Sequence, residues 1–204
     1  MAALTYTTLL AQVVDTLGSQ VTSAQVDAML PFVEARFNRT IESPQREIEA
    51  YANPTSDVTL PADCWRVRDM WLVGSPDQTL QLVSPDTARV LYAYQTGSPQ
   101  AYVITGTKVD FWPTPGASST DTIKIRYEQA IPSLGTSQAT NWLLTQHPDI
   151  YYYSLLLQCE AFIVNDERLG VWKAALDEAL RELDTLSARQ RYGAAPLAAR
   201  PRRA

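Results

Sequence analysis

Residues 150–164 read IYYYSLLLQCEAFIV, and this stretch decides how the rest of the chain is read. It is too long for an ordinary strand and follows Pro148 and Asp149, a proline and an acidic residue of the kind that open helices. Its apolar residues surround the helix axis instead of lining one side, so the helix has to be covered on more than one face. Gln158 and Glu160 interrupt it, and it falls short of the roughly 20 apolar residues that cross a bilayer. The stretch therefore predicts a buried helix at the centre of a helical body, and no membrane span.

Moving outward toward the C-terminus, Glu167 to Arg191 predicts an amphipathic helix with Trp172, Leu176, Leu180, Leu183 and Leu186 on one stripe. Toward the N-terminus, Tyr6, Leu9, Leu10, Val13, Val14 and Leu17 form a helical stripe stopped by Gly18. Thr22 and Gln25 make a capping box for a further stripe of Val26, Met29, Leu30, Val33, Phe37 and Ile41. Pro31 removes a backbone donor inside that run, which predicts a new helix starting at the proline after a short first piece.

Between the helical ends, from about Arg46 to Ala130, the period changes to alternation, with turn residues clustered between short runs. Strands are expected at Trp65–Val73, Gln100–Thr105, Lys108–Trp112 and Thr122–Gln129, with Gly106 and Thr107 as a tight hairpin. In the last strand Ile123, Ile125 and Tyr127 face a core, and Lys124, Arg126 and Glu128 face water. Ser84, Pro85 and Asp86 begin a short helix to about Tyr94. The fold class is α+β: a helical bundle formed by residues 1–45 and 140–192, an inserted antiparallel β lobe at 46–135, and an extended basic tail at 193–204.

At 204 residues and 46% hydrophobic composition the chain can bury a real core. Its net charge of −5 is unevenly placed. No acid follows Asp184, whereas Arg189, Arg191, Arg200, Arg202 and Arg203 do; without those five the remainder carries −10. Such a tail can dock on an acidic groove of a protein partner, and the acidic body and the shortness of the tail weigh against general DNA binding. Cys64 and Cys159 are far apart, which favours a reducing compartment over a disulfide framework, and the N-terminus lacks the pattern of an export signal.

Candidate chemistry is sparse. His147, the single histidine, sits in Thr145-Gln146-His147-Pro148-Asp149, which reads as a capped helix start. Phosphate-loop, nucleophile-elbow, HExxH and dinucleotide signatures are lacking. Asp177, Glu178 and Glu182 fall on the polar side of an amphipathic helix, and nothing in the sequence brings Asp63, Asp69 and Asp110 together. Trp65, Trp71, Trp112, Trp142 and Trp172 fit cores or interfaces, or, if several β-region rings stood exposed side by side, a sugar-stacking platform. No catalytic, metal or cofactor site is expected.

Several segments in order resemble one family: LPFVEARFNR at 30–39, LPAD at 60–63, YVITG at 102–106, WPTP at 112–115, IRYE at 125–128, NWLL at 141–144, HPDIY at 147–151 and NDER at 165–168. Together they are similar to the head-to-tail adaptor, or connector, proteins of tailed bacteriophages, chiefly the short-tailed kind. The resemblance implies a virion protein made in the host cytoplasm and assembled as a homo-oligomer, typically a twelvefold ring, beneath the portal protein. It implies a β lobe meeting the tail nozzle or tail tube, and genomic DNA passing through without specific binding. The expected portal contacts are Tyr192, Pro196, Leu197, Arg200, Arg202 and Arg203; expected subunit packing falls to Tyr151, Tyr152, Tyr153, Leu156, Phe162 and Trp172. The rival is a tail-associated carbohydrate-binding or hydrolytic protein acting through the β lobe.

Overall fold

A computed structural model of the chain describes residues 4–54, 58–116, 119–162 and 167–193. Among them are helices α1 (Tyr6–Leu17), α2 (Ser23–Thr40), α3 (Pro85–Tyr92), α4 (Trp142–Gln146), α5 (Pro148–Gln158) and α6 (Leu169–Tyr192). The strands are β1 (Glu47–Ala52), β2 (Val58–Thr59), β3 (Cys64–Leu72), β4 (Gln78–Thr79), β5 (Gln81–Leu82), β6 (Ala101–Thr105), β7 (Lys108–Trp112) and β8 (Ile123–Gln129). The chain divides into a helical unit, residues 1–44 with 131–204, and a β unit, residues 45–130. The fold is mixed α+β, as the change of period along the sequence predicts.

The helical unit is built from the stripes. The α1 helix opens on a capping box between Thr5 and Thr8 and ends at Gly18, whose φ of +67° suits a residue without a Cβ. Its buried side chains Leu9, Leu10, Val13 and Leu17 join Val26, Leu30, Val33 and Phe37 of α2, Ile150, Tyr151, Leu155 and Leu156 of α5, and Trp172, Leu176 and Leu183 of α6. Both ends of the sequence thus contribute to one core.

Two expectations are corrected here. The Thr22 and Gln25 capping box starts α2, but no second helix begins at Pro31: α2 runs unbroken from Ser23 to Thr40 with the proline inside. A proline there costs about 3 kcal/mol. Leu30 before it and Val33 and Phe37 after it sit in the same core, so burial on both sides outweighs that cost. The long run at 150–164 is also not one helix. It ends at Gln158 and tightens into a 3₁₀ turn over Cys159–Phe162; residues 163–166 lie outside the described residues.

The described residues of the β unit form two four-stranded sheets, ordered β1-β8-β3-β4 and β2-β7-β6-β5. Val58, Met70, Leu80, Tyr102, Val109, Phe111, Ile123, Ile125 and Tyr127, drawn from both, fill one core. Gly106, at φ +63°, turns β6 into β7, with Thr105 opposite Lys108. The lobe is not wholly antiparallel, because β5 pairs with β6 in parallel. Parallel neighbours need a long crossover, and residues 83–100 supply one that contains α3, capped by Ser84.

Glu128 is the third correction. It belongs to the side of β8 that alternation assigns to water, yet it is 2% exposed. Register shifts in β3 between Cys64 and Arg66 and between Val67 and Asp69 accompany two arginines converging on it. Arg66 Nη2 lies 2.9 Å and Arg68 Nη2 2.6 Å from its Oε1.

Candidate docking surfaces

The end of α6 is where the tail leaves the helical unit. Tyr192 is its last residue, and Gly193 closes it at φ +64° while donating its N–H to the Arg189 carbonyl at 2.8 Å. Pro196, Leu197, Arg200, Arg202 and Arg203 lie outside the described residues. The buried stripe of α6 is Trp172, Leu176, Ala179, Leu183 and Ser187. Leu186, expected on that stripe, is instead 43% exposed. The steps of four, three, four and four from Trp172 arrive at residue 187, about 100° round the helix from Leu186. The outer side of α6 carries a groove of about 460 Å³ lined by Glu178, Arg181, Glu182, Thr185, Leu186 and Arg189.

The residues expected to pack subunits fall into two sets. Tyr151, Leu156 and Trp172 are buried in the chain's own core. Tyr151 packs edge-on against Phe37 with ring centres 4.9 Å apart, and the Arg168 guanidinium stacks 5.0 Å from the Trp172 ring. Tyr152, Tyr153 and Phe162 are only partly buried and lie along the margin of that core. Tyr152 and Tyr153 stack edge-on at 5.4 Å, and the Tyr152 hydroxyl hydrogen-bonds Thr16 Oγ1 at 2.6 Å. With Asp15 and Asp149 they line a groove of about 380 Å³ between α1 and α5.

Beneath this margin is a polar centre with no signature in the sequence. Glu34, 5% exposed, accepts the Leu134 N–H at 2.7 Å and the Tyr151 hydroxyl at 3.4 Å. Asn141 donates Nδ2 to the Tyr151 oxygen and to the Pro132 carbonyl, both at 2.8 Å, and its Oδ1 caps α4 at the Leu144 N–H. Burial pushes the Glu34 carboxyl above its ordinary pKa, with the Leu134, Ser133 and Tyr151 hydrogen bonds opposing. Burial likewise raises the Tyr151 phenol. Through these bonds the segment returning from the β unit is tied to α2 and α5. His147 does not cap α5 with its side chain; Pro148 and Asp149 in the first turn mark that helix start.

The sequence profile of the SU10 adaptor protein family matches residues 4–200. The chain belongs to this family. The match spans both units, and the family is one of bacteriophage head-tail adaptors, structural components of the virion at the head-tail junction. A comparison with curated proteins finds no match.

In this adaptor the outer face of β1, β8 and β3 is a charged ladder. Glu49 pairs with Lys124 at 3.3 Å and with Arg126 at 3.0 Å, and both cations lie over the Trp71 ring. The hydrogen bond from Arg126 holds the Glu49 carboxyl below the usual range. Trp65 is exposed, Trp71 is covered by cations, Trp112 and Trp142 are half-buried and Trp172 is buried, so the rings do not form an exposed row. Asp63 is bound by Tyr127 and Gln129, Asp69 stands opposite Arg126, and Asp110 stands opposite Val103. Asp177, Glu178 and Glu182 are exposed on α6. Among the described residues no group of three or more His, Cys, Asp or Glu is placed to hold a metal, and no helix is long and apolar enough to cross a membrane.

Proposed function

We propose that this head-tail adaptor works as a ring, twelvefold in its commonest form, that joins the portal of the filled head to the tail nozzle or tube and lines the path of the genome. The observation that carries this reading is the family match across residues 4–200. Two physical features support it. Tyr152, Tyr153 and Phe162 leave apolar area at the margin of the helical core, which suits packing against a neighbouring subunit. The acidic balance of residues 1–184 suits a channel through which DNA slides without specific binding, since like charges repel. The β unit then faces the next tail component, and synthesis takes place in the host cytoplasm.

In this reading the segment from Tyr192 through Pro196, Leu197, Arg200, Arg202 and Arg203 docks on the portal. A short chain of positive charge with two prolines loses little freedom on binding and matches an acidic groove. The test is to mix purified portal with the full chain and with a chain ending at Gly193, then image the particles. Twelvefold rings on the portal with the full chain and few with the shortened one are expected. Equal occupancy would remove the role of the tail, and absence of any ring would remove the assembly itself.

A further inference from the structure

The outer side of α2 carries an apolar stripe that the core does not use. Ala28, Pro31, Phe32 and Ala35 recur at the spacing that makes one face of a helix, and all four are exposed. Phe32 is 60% exposed, and the exposed Arg36 and Arg39 continue the same stripe toward the end of the helix. The stripe lies about 160° round the axis from the buried Val26, Leu30, Val33 and Phe37.

The groove between α1 and α5 has the matching chemistry. Leu4, Pro148, Tyr152 and Tyr153 give it apolar walls, and Asp15 and Asp149 are its charged residues, so it carries two acids and no base where the ridge carries two bases and no acid. The spacing agrees as well. Asp149 precedes Tyr153 by about one turn of α5, and Arg36 follows Phe32 by about one turn of α2, roughly 6 Å in each case. With the two helices antiparallel, ring meets ring and cation meets carboxylate at the same time. No ridge residue lines the groove of its own chain, so each copy presents both surfaces.

We propose that the α2 ridge of one copy seats in the α1 and α5 groove of the next, with Phe32 against Tyr152 and Tyr153, and Arg36 against Asp149 and Asp15. The contact rests on the ring reading above and names the surfaces that build it. Phe32 supplies the apolar anchor, and the charges fix the register. Because ridge and groove are different patches, two joined copies leave one of each free, and addition continues head to tail until a circle closes; a self-complementary patch would stop at a dimer.

Cross-linking tests this in the full chain with Cys64 replaced by Ser and the buried Cys159 left in place. One preparation carries Ala35→Cys on the ridge and another Gln12→Cys in the groove; both positions are exposed, and circular dichroism should match wild type. A short bis-maleimide should join 35 to 12 in the mixture, in at least about tenfold excess over 35–35 or 12–12 products. A chain carrying both substitutions should give a ladder of multimers, free at high concentration or on purified portal. Arg36→Asp or Asp149→Arg alone should cut that ladder at least about tenfold, and the two together should recover most of it. Equal 35–35 and 35–12 yields, cross-links from residue 35 to the portal only, or a charge swap without recovery would each overturn the proposal. Rings imaged on the portal without the 35–12 product would overturn this contact and leave the ring standing. A 35–12 ladder without rings would do the reverse, and neither ladder nor rings would overturn both.

Discussion

The helical unit and the β unit handle buried charge in opposite ways. Among its described residues the helical unit buries one carboxylate, Glu34, among neutral partners: a backbone N–H, a serine and a tyrosine hydroxyl. The β unit buries Glu128 against two arginines and leaves Glu49 at the surface between Lys124 and Arg126. A desolvated acid without a cation is stabilised by losing its charge, whereas an acid beside cations is stabilised by keeping it. Glu34, with a raised pKa, and Glu49, with a lowered one, therefore respond to acid with opposite sign, and each unit has a core of its own.

The largest effect tests that separation. Phe37→Ala opens a cavity beside Tyr151 and should destabilise the helical unit by about 3–5 kcal/mol, and Met70→Ala should cost the β unit about 2–5 kcal/mol. Hydrogen exchange read by mass spectrometry should show each loss of protection concentrated in its own unit. Uniform loss across both units would show one cooperative core instead of two.

Next in size, Glu128→Ala leaves Arg66 and Arg68 without their shared carboxylate. Because the Arg66 side chain is 48% exposed and can turn to water, the expected cost is about 2 kcal/mol, below that of a fully buried pair, measured by denaturant unfolding.

The pH response sharpens the comparison further. Glu34 has a raised folded pKa, so its contribution to stability is fully present below about pH 4.5 and is lost as pH rises through the raised value. Glu34→Gln keeps an acceptor for Leu134 and should flatten the fall in helical-unit stability as pH rises above about 4.5. Glu49 has a lowered folded pKa; its contribution is present above about pH 4.5 and lost as pH falls through the lowered value. Glu49→Gln should remove a small, salt-sensitive loss of β-unit stability in acid. Parallel pH profiles in both variants would break the contrast.

The smallest perturbation uses the native thiols. Burial pushes Cys159 up to about 11 and also raises the half-buried Cys64. In a thiol-labelling time course Cys64 should react at least about tenfold faster, and Cys159 only as the helical unit opens.

The sequence carries more of the fold than of the candidate surfaces. Long stripes ending at a glycine or opening on a capping box define α1 and α2, and alternation in Ile123, Ile125 and Tyr127 defines the central strand, because each element repeats its pattern several times. Two-residue strands such as β2, β4 and β5 repeat nothing, and β1 hides Ile48 between two glutamates. Pro31 misleads because a local breaking tendency is judged without the core on both sides of it. Glu128 misleads because its partners arrive from another strand through a locally shifted register, and the Glu34 centre joins residues about a hundred positions apart. Of the residues expected to pack subunits, Tyr151, Leu156 and Trp172 are apolar enough for an interface but are taken up by the chain's own core, a distinction that composition does not make.

The first and last strands of the β unit are neighbours. β1 pairs with β8 from Glu47 opposite Glu128 onward, and Arg46 Nε donates to the Gln129 carbonyl at 2.9 Å. Adjacent strands are about 4.8 Å apart, so the helical unit is interrupted in sequence by 86 residues but in space by a gap that a few residues could close. The β unit is in that sense a cassette. Residues 44 and 131 could be joined by a short loop to give a lobe-free body, and lobes of other sizes could be carried at the same two points without rebuilding the helices.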